Sequence, residues 1–233
     1  MTVQKSAGPA ELEARRKVGL AGAALVRTGM VVGLGTGSTA AFAIEELGRR
    51  VREEKLAITG VPTSWSAAEL AKRAGIDVRS VNDVAQLDLA LDGADEVGPE
   101  LVLIKGGGAA HTLEKIVATA AARFVVLVDE TKLVRRLGDT FPVPAEVIED
   151  ALPLVRRRLE AMGAVVTQRE GVTELGNRIL DARFGPIEDP AALSMRLDAI
   201  PGLLEHGLFV GMAHLVLVGD LSSETVRRLT PAT

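Results

Sequence analysis

Apolar residues recur at helical spacing near the start of the chain. Ala14, Val18, Ala21 and Leu25 fall on one face, and Thr28-Gly29 stops the run, which predicts a helix over residues 10–27. The pattern then shortens. MVVGLG (30–35) is a compact apolar strand, and GTGSTAAFAIEELGRRVREE (35–54) reads as a glycine turn opening a helix, with Ser38 or Thr39 near its N-cap. LAITGV (56–61) predicts a strand and SAAELAKRAG (66–75) a helix ended by Gly75. LDLALDG (87–93) and LVLIKG (101–106) predict two more strands, AAHTLEKIVATAAAR (109–123) a helix and FVVLVD (124–129) a strand. Strands that are apolar throughout and alternate with helices predict an α/β fold with a parallel sheet covered on both faces.

The rhythm changes at FPVPAEVIEDALPLV (141–155), where Pro142 and Pro144 bracket Val143. AEVI, LPLVRRRLEAMG, AVVTQRE, RILDARF, PAALSMRLDAI and LLEHGLFV then read as strand, helix, strand, strand, helix, strand. That series predicts a smaller α+β unit with an antiparallel sheet. HLVLVGD (214–220) returns to the fully apolar style and is expected to rejoin the first sheet, with SSETVRRL (222–229) as a closing helical turn. The expected organisation is a catalytic unit of residues 1–141 plus 213–233, interrupted by a smaller unit of residues 142–212.

Composition narrows the functional classes. The chain has 233 residues, 47% hydrophobic and 25% charged, enough for a sizeable core. A formal net charge of −4 offers nucleic acid or an anionic membrane no electrostatic reason to bind. The basic spots at Arg15–Lys17 and Arg156–Arg158 read as solvated helix faces. Cysteine is absent, which excludes disulfides and thiolate chemistry and fits a reducing cytoplasm. The first twenty residues carry acidic groups and no apolar core, so no secretory signal is expected, and no apolar run is long enough for a membrane span. His111, His206 and His214 lack ligand spacing, so no histidine metal site is expected.

Four stretches carry chemistry. GLGTGSTA (33–40) leaves a buried strand and opens a helix, where backbone N–H groups and the helix N-terminus favour an anion such as phosphate. It also satisfies the loose dinucleotide pattern G-x-G-x-x-G/A. The acid that pattern wants at the end of the second strand is missing from ITGVPTS, and Glu53 and Glu54 sit on the intervening helix instead. LDGADEV (91–97) places Asp92 and Asp95 just past a strand, where carboxylates can accept from sugar hydroxyls, move protons or simply cap a turn. A calcium loop would need a different spacing. IKGGGAAHTLEK (104–115) sets Lys105 beside Gly106, Gly107 and Gly108, with Glu114 two helical turns on. VDETK (128–132) adds Asp129 and Lys132. Four strand ends at the carboxyl edge of one sheet predict a cleft for a small polyhydroxy or phosphorylated molecule.

Taken in order and spacing, these stretches, with VPTS, PVPAEVI and AIPGLLEHGLF, resemble the ribose-5-phosphate isomerase A family over nearly the whole chain. The resemblance implies a Rossmann-like domain with a smaller ferredoxin-like one, and a homodimer or homotetramer. It implies interconversion of ribose 5-phosphate and ribulose 5-phosphate with no metal and no organic cofactor. It assigns the base to Glu114, substrate binding to Lys105 and to Lys132, and the paired aspartates to Asp92 and Asp95, with Gly93 and Ala94 between them. The phosphate loop falls on Thr36, Gly37, Ser38 and Thr39. Arg15 is the nearest match to a basic contact that some members carry on the first helix, and ARRK permits several registers. His111 receives no role. Such a reaction needs a base at C2 and C1, a donor for the enediolate oxygen and a proton transfer that opens the sugar ring. Those tasks are expected of Glu114, of Lys105 with the glycine N–H groups, and of Asp92, with Asp95 orienting hydroxyls.

Overall fold

The computed structural model describes residues 7–231. The ends of the expected catalytic unit, residues 1–6 and 232–233, lie outside them. The first half runs α1 (Pro9–Ala23), β1 (Val31–Leu34), α2 (Ser38–Glu53), β2 (Thr59–Pro62), α3 (Trp65–Arg73), β3 (Asp77–Val78), β4 (Leu89–Asp92), β5 (Glu96–Val97), β6 (Leu103–Ile104), α4 (His111–Ala120) and β7 (Phe124–Asp129). The second half runs β8 (Val143–Val147), α5 (Leu152–Ala161), β9 (Val165–Gln168), β10 (Arg178–Arg183), α6 (Pro190–Asp198), β11 (Leu203–His206), β12 (Leu208–Phe209), β13 (Leu215–Gly219) and β14 (Val226–Leu229).

Seven strands form one sheet in the order β14-β13-β7-β4-β1-β2-β3. All its neighbours pair in parallel except β13 with β14. Strand order reverses direction between β1 and β4, the switch point where open α/β sheets bind ligands. Val18, Leu34, Ile44 and Leu127 fill one face, and Val61, Val117, Phe124 and Phe209 the other. A second sheet, β11-β8-β10-β9, is antiparallel throughout, and its β-α-β-β-α-β order is the ferredoxin-like arrangement. Val155, Leu159, Leu180 and Leu193 lie in its core.

Several expectations need correction. The strand before Lys105 does not join the parallel sheet. β6 is two residues long and lies in a separate three-stranded antiparallel sheet, β12-β6-β5. Only residues 93–102 separate β4 from β6, too few for a parallel crossover. LLEHGLFV is not one strand either. It breaks at Gly207 into β11 of the second sheet and β12 of the small one. A Cβ at Gly207 would fall 2.2 Å from the Lys105 carbonyl oxygen, so only glycine lets the two chains pass this closely. VRRL is β14, not a helical turn. Asp220 Oδ1 accepts from the N–H groups of Ser222 and Ser223 at 2.8 and 3.1 Å, closing a turn that returns the chain antiparallel to β13. α1 stops at Ala23, short of residue 27, where Arg50 donates to the carbonyls of Ala23 and Val26. The N-cap of α2 is Gly37, at φ 105°, and Ser38 and Thr39 follow it directly as the first two residues of the helix, near the cap as expected.

Candidate active site

β1 and β4 end side by side, and a cavity of about 590 Å³ opens beyond them. Its walls come from the first glycine loop, the β4–β5 turn, the glycine run after β6, α4 and the segment after β7. The sequence motifs therefore converge, although one strand end arrives from a different sheet.

Lys105 is the centre of the arrangement. It is 3% exposed, and its Nζ lies 3.1 Å from Asp92 Oδ2, 3.2 Å from Glu114 Oε2 and 2.6 Å from the Gly93 carbonyl, to which it donates. The Phe209 ring sits beneath it, 5.4 Å from Nζ to the centroid. Burial alone would favour the neutral amine. The neighbouring carboxylates of Asp92 and Glu114 outweigh it and hold the ammonium well above its ordinary range, so Lys105 is a fixed positive charge.

The carboxylates respond in the opposite direction. Glu114, in the first turn of α4, is pushed up to about 8 by burial, with Lys105 pulling it down and Asp92 pushing it further up. Asp92 is also raised, chiefly by burial against the pull of Lys105. Its Oδ1 accepts from the N–H groups of Thr36 and Gly93 at 3.1 and 2.7 Å. A Cβ at Gly35 would lie 2.2 Å from that oxygen, so glycine is what lets β1 and β4 close over the aspartate. Asp95 is raised by burial too, and its Oδ2 accepts from Gly107 N–H at 2.8 Å.

The sequence-predicted residues divide by where they stand. Lys105, Glu114, Asp95, Gly93, Ala94, Gly106, Gly107 and Gly108 are on the cavity wall, as are Thr36, Gly37, Ser38, Thr39 and Lys132. Asp92 lies behind the wall, 3% exposed, with Lys105 in front of it. Thr36 turns its hydroxyl away from the cavity, toward Thr63 Oγ1 at 2.8 Å and Ser64 Oγ at 2.7 Å.

Arg15 settles its own register. Its Nε donates to Asp129 Oδ2 at 2.8 Å and its Nη1 to Ser38 Oγ at 3.1 Å, which brings the guanidinium to the cavity mouth beside α2. Burial raises Asp129, but hydrogen bonds from Thr131 and Arg15 outweigh it and hold the carboxylate below its usual range. Phe209 ends the stretch AIPGLLEHGLF, but nothing in that stretch marks it as a neighbour of Lys105. His111 is buried at the start of α4 and pushed down to about 4 by burial, so it stays neutral. His206 meets Asp198 and Glu205, a grouping that local spacing did not show. Lys115 already donates to Glu205 Oε1 at 2.6 Å and to the His206 carbonyl at 2.7 Å there.

Comparison with known proteins identifies the family and the fold. Residues 59–223 match the family model of ribose 5-phosphate isomerase A (phosphoriboisomerase A). The ribose-5-phosphate isomerase A of Methanothermobacter thermautotrophicus is 57% identical over 198 residues, 82% of this chain and 87% of that protein. The chain belongs to the ribose 5-phosphate isomerase A family. A solved structure of a family member, D-ribose-5-phosphate isomerase in complex with phospho-erythronic acid, superposes with a TM-score of 0.90 at 42% identity, over 94% of this chain and 98% of that one. The ribose 5-phosphate isomerase A of Methanocaldococcus jannaschii gives 0.89 at 45% identity, with the same coverage of both chains.

Proposed function

We propose that the cavity is the active site of a ribose 5-phosphate isomerase, with Glu114 as the base that carries a proton between C2 and C1 of the substrate. One observation carries this reading above the others. A carboxylate pushed up to about 8 stands on the cavity wall 3.2 Å from a buried, permanently charged lysine. The first is a base tuned to neutral pH, and the second is the charge an enediolate needs.

Family membership supports a sugar phosphate as the substrate. The phosphate fits the N-terminus of α2, where Gly37, Ser38 and Thr39 meet the Arg15 guanidinium. Anchoring there lays the carbon chain across the cavity toward Lys105 and Glu114. Binding energy at the phosphate end thereby orients the reacting carbons. Lys105 takes the oxygen on which charge develops, and the glycine N–H groups assist. Lys132 lines the same cavity.

The roles of the two aspartates change from those the sequence suggested. Asp95 is on the wall with Oδ1 free of the Gly107 bond, so it is the carboxyl that reaches the ring oxygens and exchanges the ring-opening proton. Asp92 stands behind Lys105 and fixes it, together with the turn at Thr36 and Gly93. The scheme needs no metal and no organic cofactor, because Lys105 supplies the electrostatic stabilisation itself. The unit of residues 142–212 serves association into a homodimer or homotetramer, supported by the exposed apolar side chains of Val165 and Met195. The chain works in the cytoplasm, supported by its lack of cysteine.

The decisive experiment is a coupled assay for ribulose 5-phosphate formed from ribose 5-phosphate, run on wild type and Glu114→Gln with and without a chelator. The expected result is turnover by wild type that ignores the chelator, and a loss of about 10²–10⁴-fold in kcat for the variant. Near-wild-type turnover by Glu114→Gln would overturn the assignment.

A further inference from the structure

The glycine run is anchored by a residue sixty positions away, in the second sheet's hairpin. Arg169 directly follows β9. Its Nη1 donates to the Gly106 carbonyl at 2.7 Å and to the Gly107 carbonyl at 3.3 Å. The rest of its guanidinium is held by Asp181 on β10, with Nε to Oδ2 and Nη2 to Oδ1 both at 2.6 Å. This is a bidentate pair, the geometry arginine provides and lysine does not.

A trans peptide points its C=O and N–H in opposite directions. The Gly106–Gly107 peptide is therefore gripped at both ends: Arg169 holds its oxygen and Asp95 Oδ2 accepts its N–H at 2.8 Å. The next peptide has its oxygen turned to Arg169, so the Gly108 N–H faces the other way, to the cavity that Gly108 lines. The run ends at Ala109, which is held at φ 62° in the left-handed region that alanine rarely adopts. A three-glycine segment would sample many conformations if left free. The arginine selects one.

We infer that Arg169, oriented by Asp181, is a positioning residue for catalysis, which fixes the Gly106–Gly108 peptides so that Asp95 and the Gly108 N–H meet the substrate. This rests on the reading of the cavity as the isomerase site. Neither residue touches the cavity itself. The arginine is also one of the positive charges that draw Asp95 down against the effect of burial.

The test compares Arg169→Met, Arg169→Lys and Asp181→Asn with wild type by steady-state kinetics, thermal melting and amide hydrogen exchange. Misplacement of the wall acts on the reacting end and leaves the phosphate anchor intact. Arg169→Met is expected to lose about 10–100-fold in kcat with KM within about threefold of wild type. Arg169→Lys is expected to fall nearly as far, since one ammonium cannot hold two carbonyls and a bidentate carboxylate. Asp181→Asn is expected to lose less, about 3–10-fold, because it keeps one acceptor for the guanidinium. Exchange at the Gly107 and Gly108 amides is expected to rise in all three. Wild-type kcat in folded Arg169→Met, or full rescue by Arg169→Lys, would overturn the inference. So would a kcat loss in Asp181→Asn with unaltered exchange at both amides. The exchange measurement needs no turnover. Absent isomerase activity in wild type would therefore refute the function and still leave the anchoring testable.

Discussion

The wall built from β1 and β4 and the wall built from the glycine run draw their support from different distances. In the first, Gly35, Thr36, Asp92 and Gly93 hold one another across two neighbouring strands of one sheet. In the second, the run after β6 is held from the second sheet, through Arg169 to the Gly106 and Gly107 carbonyls and through Gly207 to Lys105, whose N–H donates to the Gly207 carbonyl at 2.9 Å. α4 is held the same way. The buried Glu146 on β8 accepts from Thr112, two residues before Glu114, and from Thr173 and Asn177 at 2.6 and 2.9 Å. In the proposed scheme the parallel sheet would place the substrate's phosphate, and the antiparallel one braces Lys105 and Glu114.

The comparison can be broken most severely where the walls meet. Lys105→Met leaves two buried carboxyls facing each other without a cation. Turnover is expected to fall about 10²–10³-fold, measured at saturating substrate. The pH profile follows from the same pair. Glu114 must be ionised to act and is pushed up to about 8, so kcat/KM is expected to rise as pH rises through about 8. Lys105 pulls Glu114 down, so residual activity in Lys105→Met is expected to need still higher pH. A limb that stays in place would detach the lysine from the base.

Gly35→Ala tests the near wall alone. Its Cβ meets Asp92 backbone as well as side chain, at 2.6 Å from Cα, so the strands must part. A loss of about 1–3 kcal/mol in stability is expected by denaturant titration. Glu146→Gln tests the far wall's brace at the smallest cost. Thr112 and Thr173 donate to different oxygens of Glu146, so the amide keeps an acceptor for only one of them and loses the charge. A drop of about 1–2 kcal/mol in stability and a few-fold loss in kcat are expected. Unchanged kinetics there would separate α4 from the second sheet.

The near wall was legible in the sequence because it is local. GLGTGSTA and LDGADEV each sit at the end of an apolar strand, so strand, turn and chemistry can be read from one stretch. The far wall was only half legible. Lys105 and Glu114 flank their own glycines, but β6 is a two-residue strand, and LVLIKG offers no sign that it leaves the parallel sheet beyond the short gap after β4. Arg169 was silent, because nothing in AVVTQRE distinguishes it from any charged residue at a strand end. Long-range hydrogen bonds leave no local periodicity. The different depths of Asp92 and Asp95 are of the same kind, since depth behind a wall is not a property of spacing.

Gly207 ties these threads into one strand of behaviour on heating. Its N–H donates to the Pro144 carbonyl on β8 at 2.8 Å, and its carbonyl receives the N–H of Lys105. The main chain of the lysine is thus stitched to the second sheet. Melting that sheet would also dismantle the cation's seat, so turnover is expected to vanish no later than the second sheet unfolds.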